Sequence, residues 1–509
     1  MVGKERFKEL ITKYSSRPII LHGDPDTDGL ISLLFMCQFC EMLGWPYQYH
    51  VNDNRYHGFN LPLSSIKGCF IIAADFSMSR DEIQRLVDND VAIISTDHHQ
   101  IKDSFIDIVG DTAEGIVINN QYSFEPEEDE YLSGAGVFYE LVCSVYPEFA
   151  SKEREALVGV TLLSDVRAIE NNKARKYLSS AYNYDTQQEG YINYLVNSVI
   201  DSDFGFGSPK LDRNLIDFYL SPKINSMLRF NRTAEAIDFV LGKGLPSSNY
   251  KKKQQSLIED MKLRVRVLDL PNIAILAINE LDFTNLGCSI TGFIGLFCSN
   301  YKDSHNNKST LGFVFENGKI TRASFRGKYD DIHYRVSFSN LGYRAEGHPN
   351  AFGLPNFEPD ENTWIALNDL VGDLELQHES TVNIIESSNL ALIMTQRGMN
   401  LAYENLFVRD MYRSYIRYTG SNIRITRTTY KMEELTVNDL INGIKADVTK
   451  GNVSYRYLRD TNGNPIPKYI EYMVDGRKVK SFGVPLEDGL ILPILEKGYV
   501  QLYVRSKVD

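Results

Sequence analysis

The chain is predicted to be an α/β protein: a parallel-sheet domain at residues 1–245, a connecting helix at 246–269, a smaller α/β unit at 270–360 and a strand-rich domain at 361–509. Three observations predict it. Short apolar runs alternate with helical patterns over the first 120 residues, as in strand–helix–strand winding. Helical patterns then dominate residues 151–268. Beyond about residue 361 the pattern turns mixed and then strand-like, with hairpin signals at TNGNP (461–465) and VDGR (474–477).

Each element has its own reason. Phe7, Leu10, Ile11 and Tyr14 recur at helical spacing among charges, which predicts an amphipathic helix rather than a signal peptide. The strand candidates of the first domain are PIIL (18–21), YQYHV (47–51), FIIAA (70–74), VAIIS (91–95) and GIVIN (115–119). Most are solidly apolar, as strands buried on both faces of a parallel sheet are. YKKKQQSLIEDMKLRVRVL (250–268) reads as the connecting helix, and NIAILAI (272–278) and TLGFVFE (310–316) open the second unit, which ends near Gly353. No repeat or low-complexity segment interrupts the pattern.

With 509 residues the chain exceeds one hydrophobic core, so three or four domains are expected. No run of about 18 apolar residues occurs, and the expectation is a cytoplasmic protein without membrane contact. Cys37 and Cys40 form a lone CxxC inside LISLLFMCQFCEML and read as core thiols, since no second pair completes a zinc site. The net charge of −13 is unevenly spread: residues 381–509 carry 18 Lys and Arg against 14 Asp and Glu, whereas residues 1–380 carry 36 against 53. An acidic first part suits metal binding and a mildly basic tail suits phosphate binding.

The chemistry lies where ionisable residues fall relative to the strands. HGDPDTDG (22–29) follows the first strand, Asp75 ends FIIAA, and Asp97, His98 and His99 follow VAIIS. The carboxyl edge of an open α/β sheet is where ligands bind. Asp26 and Asp28 are two apart, so in extended chain they share one side. Two carboxylates about 4 Å apart repel by roughly 4 kcal/mol at an effective dielectric near 20, so protons or divalent ions have to neutralise the cluster. Mixed carboxylate and imidazole donors favour Mn²⁺, with Mg²⁺, Fe²⁺ or Co²⁺ as alternatives. Two such ions about 3.5–4 Å apart support in-line displacement at phosphorus. Singly, each residue has a bland reading, such as a helix cap or a turn former. As an ordered set, each after a strand, they point to a site.

This order resembles the DHH phosphoesterases: HxxxDxDG, a strand-terminal Asp, Asp97-His98-His99, SGAGVFYELV (133–142), and Asp165 in LLSDVRAIENNKAR. LSPKINSMLRFNR (220–232) resembles the RecJ-type stretch in which Pro-x-x-Asn precedes an arginine. ASFRGK (323–328) and EGHPNAFG (346–353) resemble the arginine strand and Gly-His loop of the DHH-associated substrate domain. The resemblance covers roughly residues 18–355. It implies a DHH catalytic domain, a DHH-associated substrate domain and a C-terminal OB-like nucleic-acid-binding domain.

By this resemblance His22, Asp26 and Asp75 would ligate one metal, and Asp28, Asp75, His98 and Asp165 the other. Asp97 would orient its neighbours, His99 would face the scissile phosphate, and Asp24 would replace or assist His22. Arg326, Ser324, His348, Asn350, Gly347, Arg229 and Arg55 would contact substrate. Departures are the missing glycine in AADFS, the short loop NDNRYHGFN and Ala345-Glu346 where glycines are usual. Glu346 beside a phosphate site would be repulsive.

In the tail, Arg409, Arg413 and Arg417 are four apart and expected on one helical face. Arg424 and Arg427 follow on a strand, with Tyr412 and Tyr415 interleaved, a combination suited to single-stranded nucleic acid. The leading reading is a RecJ-like exonuclease using two divalent ions, Mn²⁺ favoured, to cleave single-stranded DNA from the 5′ end into mononucleotides. A single-strand-binding protein or a helicase is the partner it implies. A phosphodiesterase of short RNA or cyclic dinucleotides is the second reading, and a non-catalytic scaffold the third.

Overall fold

The computed structural model describes residues 3–53, 59–75, 78, 80–99, 114–120, 131–165, 167, 172–203, 211–305, 307–329, 332–360, 362–376, 383–387, 414–436, 445–450, 453–460, 463–475, 477–481, 489–496 and 499–506. The chain divides into two compact units, Met1–Glu379 and Ser380–Asp509.

The first unit opens with helix α1 (Lys4–Tyr14), whose Phe7, Leu10, Ile11 and Tyr14 are buried as their spacing predicts. Five parallel strands follow: β1 (Ile19–Gly23), β2 (Tyr47–Val51), β3 (Phe70–Ala74), β4 (Ala92–Asp97) and β5 (Gly115–Asn119). Their order is β2-β1-β3-β4-β5, so the winding reverses beside β1 and opens a crevice at the carboxyl ends of β1 and β3. β3, β4 and β5 are buried at every residue, the consequence of helices on both faces. Helix α2 (Thr27–Leu43) is buried along most of its length and packs against β1 and the helices Gly134–Val145 and Lys152–Ser164. Its Cys37 and Cys40 are free, buried thiols that burial pushes up to about 11 and about 12, inert at neutral pH.

Helices Ser221–Arg229 and Tyr250–Arg264 lead to the second sheet. The connecting helix ends earlier than the sequence suggests: β6 (Arg266–Asp269) is an edge strand paired antiparallel with β7 (Ile273–Asn279). Val265 and Val267 are β-branched and alternate with arginines, which favours a strand. β8 (Ser309–Glu316), β9 (Lys319–Arg326), β10 (Glu346–Gly347) and β11 (Ala351–Gly353) complete a sheet of order β10-β11-β9-β8-β7-β6. Helix Thr363–Leu376 belongs to this unit, because Leu367 and Val371 share a core with Ile273, Leu311 and Phe325. The compact units therefore part at Glu379/Ser380, beyond the 360/361 boundary expected from sequence.

The second unit is strand-rich. Its described strands form a seven-stranded sheet and a three-stranded sheet; among the described residues no five-stranded barrel closes. The larger sheet contains β12 (Asn383–Ser387), β13 (Ser414–Tyr418), β14 (Ile423–Tyr430), β18 (Pro467–Val474), β19 (Arg477–Ser481), β20 (Gly489–Glu496) and β21 (Tyr499–Ser506). The smaller contains β15 (Met432–Glu434), β16 (Val448–Lys450) and β17 (Val453–Tyr457). Among the described residues no helix is long and apolar enough to cross a membrane.

Candidate metal centre and active site

The strand ends deliver their acids by different local devices. Asp26 is the N-cap of α2 and accepts from Gly29 N at 3.0 Å, while Asp28 sits inside the first helical turn. The extended geometry expected for the pair is therefore replaced by a helix start. Glycine is required there: a Cβ on Gly29 would lie 2.3 Å from the Asp24 carbonyl oxygen. Asp75 leaves β3 at φ 62, a left-handed conformation that aspartate tolerates better than most residues. A Cβ on Gly134 would lie 2.5 Å from the Asp75 Cβ, so the helix start and the strand end meet only because residue 134 is bare.

These pieces converge. Asp28 accepts from the amides of Gly134 at 2.7 Å and Ala135 at 3.1 Å, at the amino end of the helix Gly134–Val145, where the helix dipole favours negative charge. His98 Nε2 lies 3.0 Å from Asp75 Oδ1, 3.3 Å from Asp165 Oδ2 and 3.8 Å from Asp28 Oδ2. Asp28, His98 and Asp165 form one close group of donor atoms, Asp24, Asp26 and Asp75 a second, and Asp75, Asp97, His98 and His99 a third. His22 is in none of these groups; its buried ring stacks on His50 at 5.5 Å and meets the edge of Phe59. Asp24 joins Asp26 and Asp75 in a close donor group, as a residue that replaces or assists His22 would.

The electrostatics are those of a site built for cations. Asp28, Asp75 and His98 are each 1% exposed. Burial, then repulsion from Asp165 and Asp26, pushes the Asp28 carboxyl well up against the pull of two amides. Burial, then Asp28, Asp26 and Asp24, does the same to Asp75. Burial pushes the His98 imidazole well down. Both Asp75 oxygens, both His98 ring nitrogens and Asp165 Oδ2 are buried without a hydrogen bond, which is costly unless a ligand satisfies them. Carboxylate oxygens with one neutral imidazole make a donor set that fits divalent Mn or Mg.

His99 differs from His98. Its Nδ1 is 2.8 Å from Asp97 Oδ1 and its side chain is a third exposed. Burial opposes its charge, but Asp97, Asp165 and Asp24 hold its imidazolium up to about 10. The rings of His98, His99 and His348 form a row, with centroids 4.3 and 5.8 Å apart. His348 Nε2 approaches Asp165 Oδ1 at 3.5 Å, bringing the second sheet's loop to the first sheet's edge.

A cavity of about 200 Å³ opens here, lined by Asp26, Asp28, Asp165, Asn225, Arg229 and His348. Arg229 is held by Gln254 at 3.1 Å. Asn225, whose Oδ1 is buried without a hydrogen bond, joins the cavity although only its Pro-x-x-Asn motif marks it in the sequence. Asn119 carries no such mark, and the Gly134 and Ala135 amides are marked only by the SGAGVFYELV segment. Arg326 and Ser324 lie together on β9, Arg326 Nη1 donating to Ser324 Oγ at 2.9 Å. Asn350 O accepts from Gly327 N at 2.8 Å and Gly347 turns at φ 126, which shapes the His348 loop. Glu346 is exposed and paired with Arg344 at 2.5 Å, so the repulsion expected from it is offset. Arg55 lies outside the described residues.

In the second unit Arg409, Tyr412 and Arg413 also lie outside the described residues, and Tyr415 and Arg417 are on strand β13. A common helical face including Arg417 is thereby corrected. The basic surface is instead a sheet face. On β18, Ile470, Tyr472 and Val474 are buried, which turns Tyr469, Glu471 and Met473 outward. Arg424 and Lys478 flank Met473, and Arg427 and Lys480 flank Glu471. Arg424 and Arg427 are three apart, and a bulge between Ile425 and Arg427 puts them on the same side. Tyr503 stands beside Lys480, with the ammonium 5.8 Å from its ring centre.

Residues 18–163 match the profile of the DHH family, N-terminal domain. Among solved structures the chain is similar to RecJ in complex with Mn²⁺ from Thermus thermophilus, with 16% identity and a TM-score of 0.62 over 100% of this chain and 70% of that one. It is similar to the Mg²⁺ complex of RecJ from the same organism at 14% identity and a TM-score of 0.56, over 100% and 69%. It also resembles an exonuclease RecJ bound to manganese, at 17% identity and a TM-score of 0.50, over 74% and 95%. No curated protein matches the sequence.

Proposed function

Residues 18–163 being a DHH-family domain on a RecJ-like fold, we propose that the chain is a metal-dependent phosphodiesterase of exonuclease type. Its substrate is single-stranded nucleic acid, DNA favoured, degraded from the 5′ end into mononucleotides. One observation carries the reading: buried carboxylate and imidazole atoms without hydrogen bonds converge beside a cavity that also holds Arg229, Asn225 and His348.

Asp26 and Asp75, with Asp24 assisting or replacing His22, would hold one divalent ion and Asp28, Asp75, His98 and Asp165 the other, with Mn²⁺ favoured. Such ions supply Lewis acidity toward a phosphoryl oxygen and make water nucleophilic near neutral pH. The chain's own residues do the rest. Asp97 holds the His99 ring at its Nδ1, and His99, as an imidazolium, stabilises charge on the scissile phosphate. Arg229 binds a phosphate oxygen in the cavity. His348 joins from the second sheet and lines the cavity. The basic and tyrosine-bearing face of the second unit would hold the strand through phosphate contacts and base stacking.

The test uses end-labelled single-stranded DNA and RNA with Mn²⁺, Mg²⁺ or chelator. Mononucleotide release from 5′-labelled DNA with Mn²⁺, abolished by chelator, is expected. Intact strands under every metal condition overturn the reading. A second reading, a phosphodiesterase of dinucleotides, is favoured by the small cavity of about 200 Å³. It is supported if dinucleotides turn over and strands do not.

A further inference from the structure

The carboxylate of Asp97 is gripped from two sides. Its Oδ1 meets His99 Nδ1 at 2.8 Å, and its Oδ2 accepts from Asn119 Nδ2 at 3.2 Å. The same amide nitrogen donates to the main-chain carbonyl of His99 at 2.8 Å. Asn119 therefore reaches His99 by two routes, through its backbone and through the acid that holds its ring. It is 6% exposed, ends β5 and stands in register with Asp97 at the end of β4. A primary amide offers two N–H hydrogens on one nitrogen without adding charge. An aspartate in its place would set two carboxylates against each other.

We infer that Asn119 is a positioning residue for the hydrolysis proposed above: it fixes the Asp97 carboxylate and the His99 backbone so that the ring keeps Nδ1 on Asp97 and leaves Nε2 for a phosphate oxygen. This rests on the reading of His99 as a group that meets the scissile phosphate. Groups that orient a reacting side chain without touching substrate act through the geometry of the one they hold. The Asn119 amide donates to Asp97 and to the His99 backbone, neither of which is assigned to a metal here, so its loss should spare metal content.

The experiment compares Asn119→Ala, His99→Asn and the double variant in the Mn²⁺-loaded full chain on a single-stranded oligonucleotide. Metal content is measured alongside, with the ¹⁵N-histidine spectrum of the Mg²⁺-loaded protein, in which His99→Asn identifies the hydrogen-bonded Nδ1 proton. Asn119→Ala is expected to lower kcat by about 10- to 100-fold with KM and metal content little changed. The double variant should be no slower than His99→Asn alone, and the Nδ1 proton should broaden by faster exchange. Unchanged kcat with an unchanged resonance overturns the inference, as does full additivity or loss of metal in step with activity. If the wild-type chain cleaves no strand, the functional reading fails, while the Nδ1 resonance still decides whether Asn119 holds His99. Should Asn119→Ala not fold, Asn119→Ser supplies the same comparison with one donor kept.

Discussion

The acidic edge of the first sheet and the basic face of the C-terminal sheet obey opposite rules. At the first, Asp28, Asp75 and His98 are buried to 1% exposure, so every charge costs desolvation until a ligand satisfies it. At the second, Arg424, Arg427 and Lys478 stand in solvent, where charge costs little and water screens it. A buried cluster acts through a few atoms whose positions are fixed by backbone. An exposed face acts through the number of its cations and tolerates loss of any one. The two regions should therefore respond to mutation in different ways: the first collapses at a single change, and the second fades.

The largest effect tests the first half of that contrast. Asp75→Ala or Asp28→Ala should reduce turnover by about 10⁴-fold, read by single-turnover kinetics on a labelled strand. Asp28→Asn and Asp75→Asn, which remove the charge but keep an acceptor for the Gly134 and Ala135 amides and a side chain that tolerates φ 62, should melt no lower than wild type when both are metal-free, because a repelling carboxylate is gone. Near-normal rates would remove Asp75 and Asp28 from the site.

The second half predicts a graded loss. Replacing Arg424, Arg427, Lys478 and Lys480 by alanine together should weaken strand binding and lower the slope of log K against log salt by up to about 0.7 per lost phosphate contact. Each single replacement should give a fraction of it, and cleavage of a dinucleotide should be unaffected. Equal loss on strand and dinucleotide would contradict a separate binding face.

The smallest effect is a proton count. Asp28 and Asp75 have carboxyls raised by burial and mutual repulsion, so without metal they retain protons to higher pH than in the unfolded chain. Metal binding should release protons, measurable by pH-stat, and the release should shrink as pH rises through the raised values. The sign for stability follows. A raised carboxyl favours the folded state as pH falls toward the unfolded value near 3.9, so metal-free wild type should melt higher on mild acidification. His98 works the other way, being held neutral, and acid below its ordinary value near 6.5 reduces the gain. Asp28→Asn should release fewer protons and flatten the profile.

How much of this is legible in the sequence depends on range. The parallel sheet is readable because FIIAA and GIVIN are solidly apolar over a whole strand. The candidate site is readable because Asp75, Asp97 and His98 each stand at a strand's end, an unusual place for charge to accumulate. The Asp26–Asp28 geometry is not, since a periodicity of two and a helix start place the same residues differently. The grip of Gly134 and Ala135 on Asp28 spans more than 100 residues of chain, so the SGAGVFYELV segment does not by itself tell which acid it holds. The basic face is hidden by a bulge that shifts the register of β14 on β18.

The sequence by itself determined which groups exist and which strand or helix end carries them, because hydrophobic periodicity and turn chemistry act over a few neighbouring residues. Tertiary structure alone decided which groups meet. The winding reversal beside β1, the bare Cα atoms of Gly29 and Gly134, and the register of the C-terminal sheet are long-range matters of close packing. Packing admits one partner among many that local chemistry would equally allow.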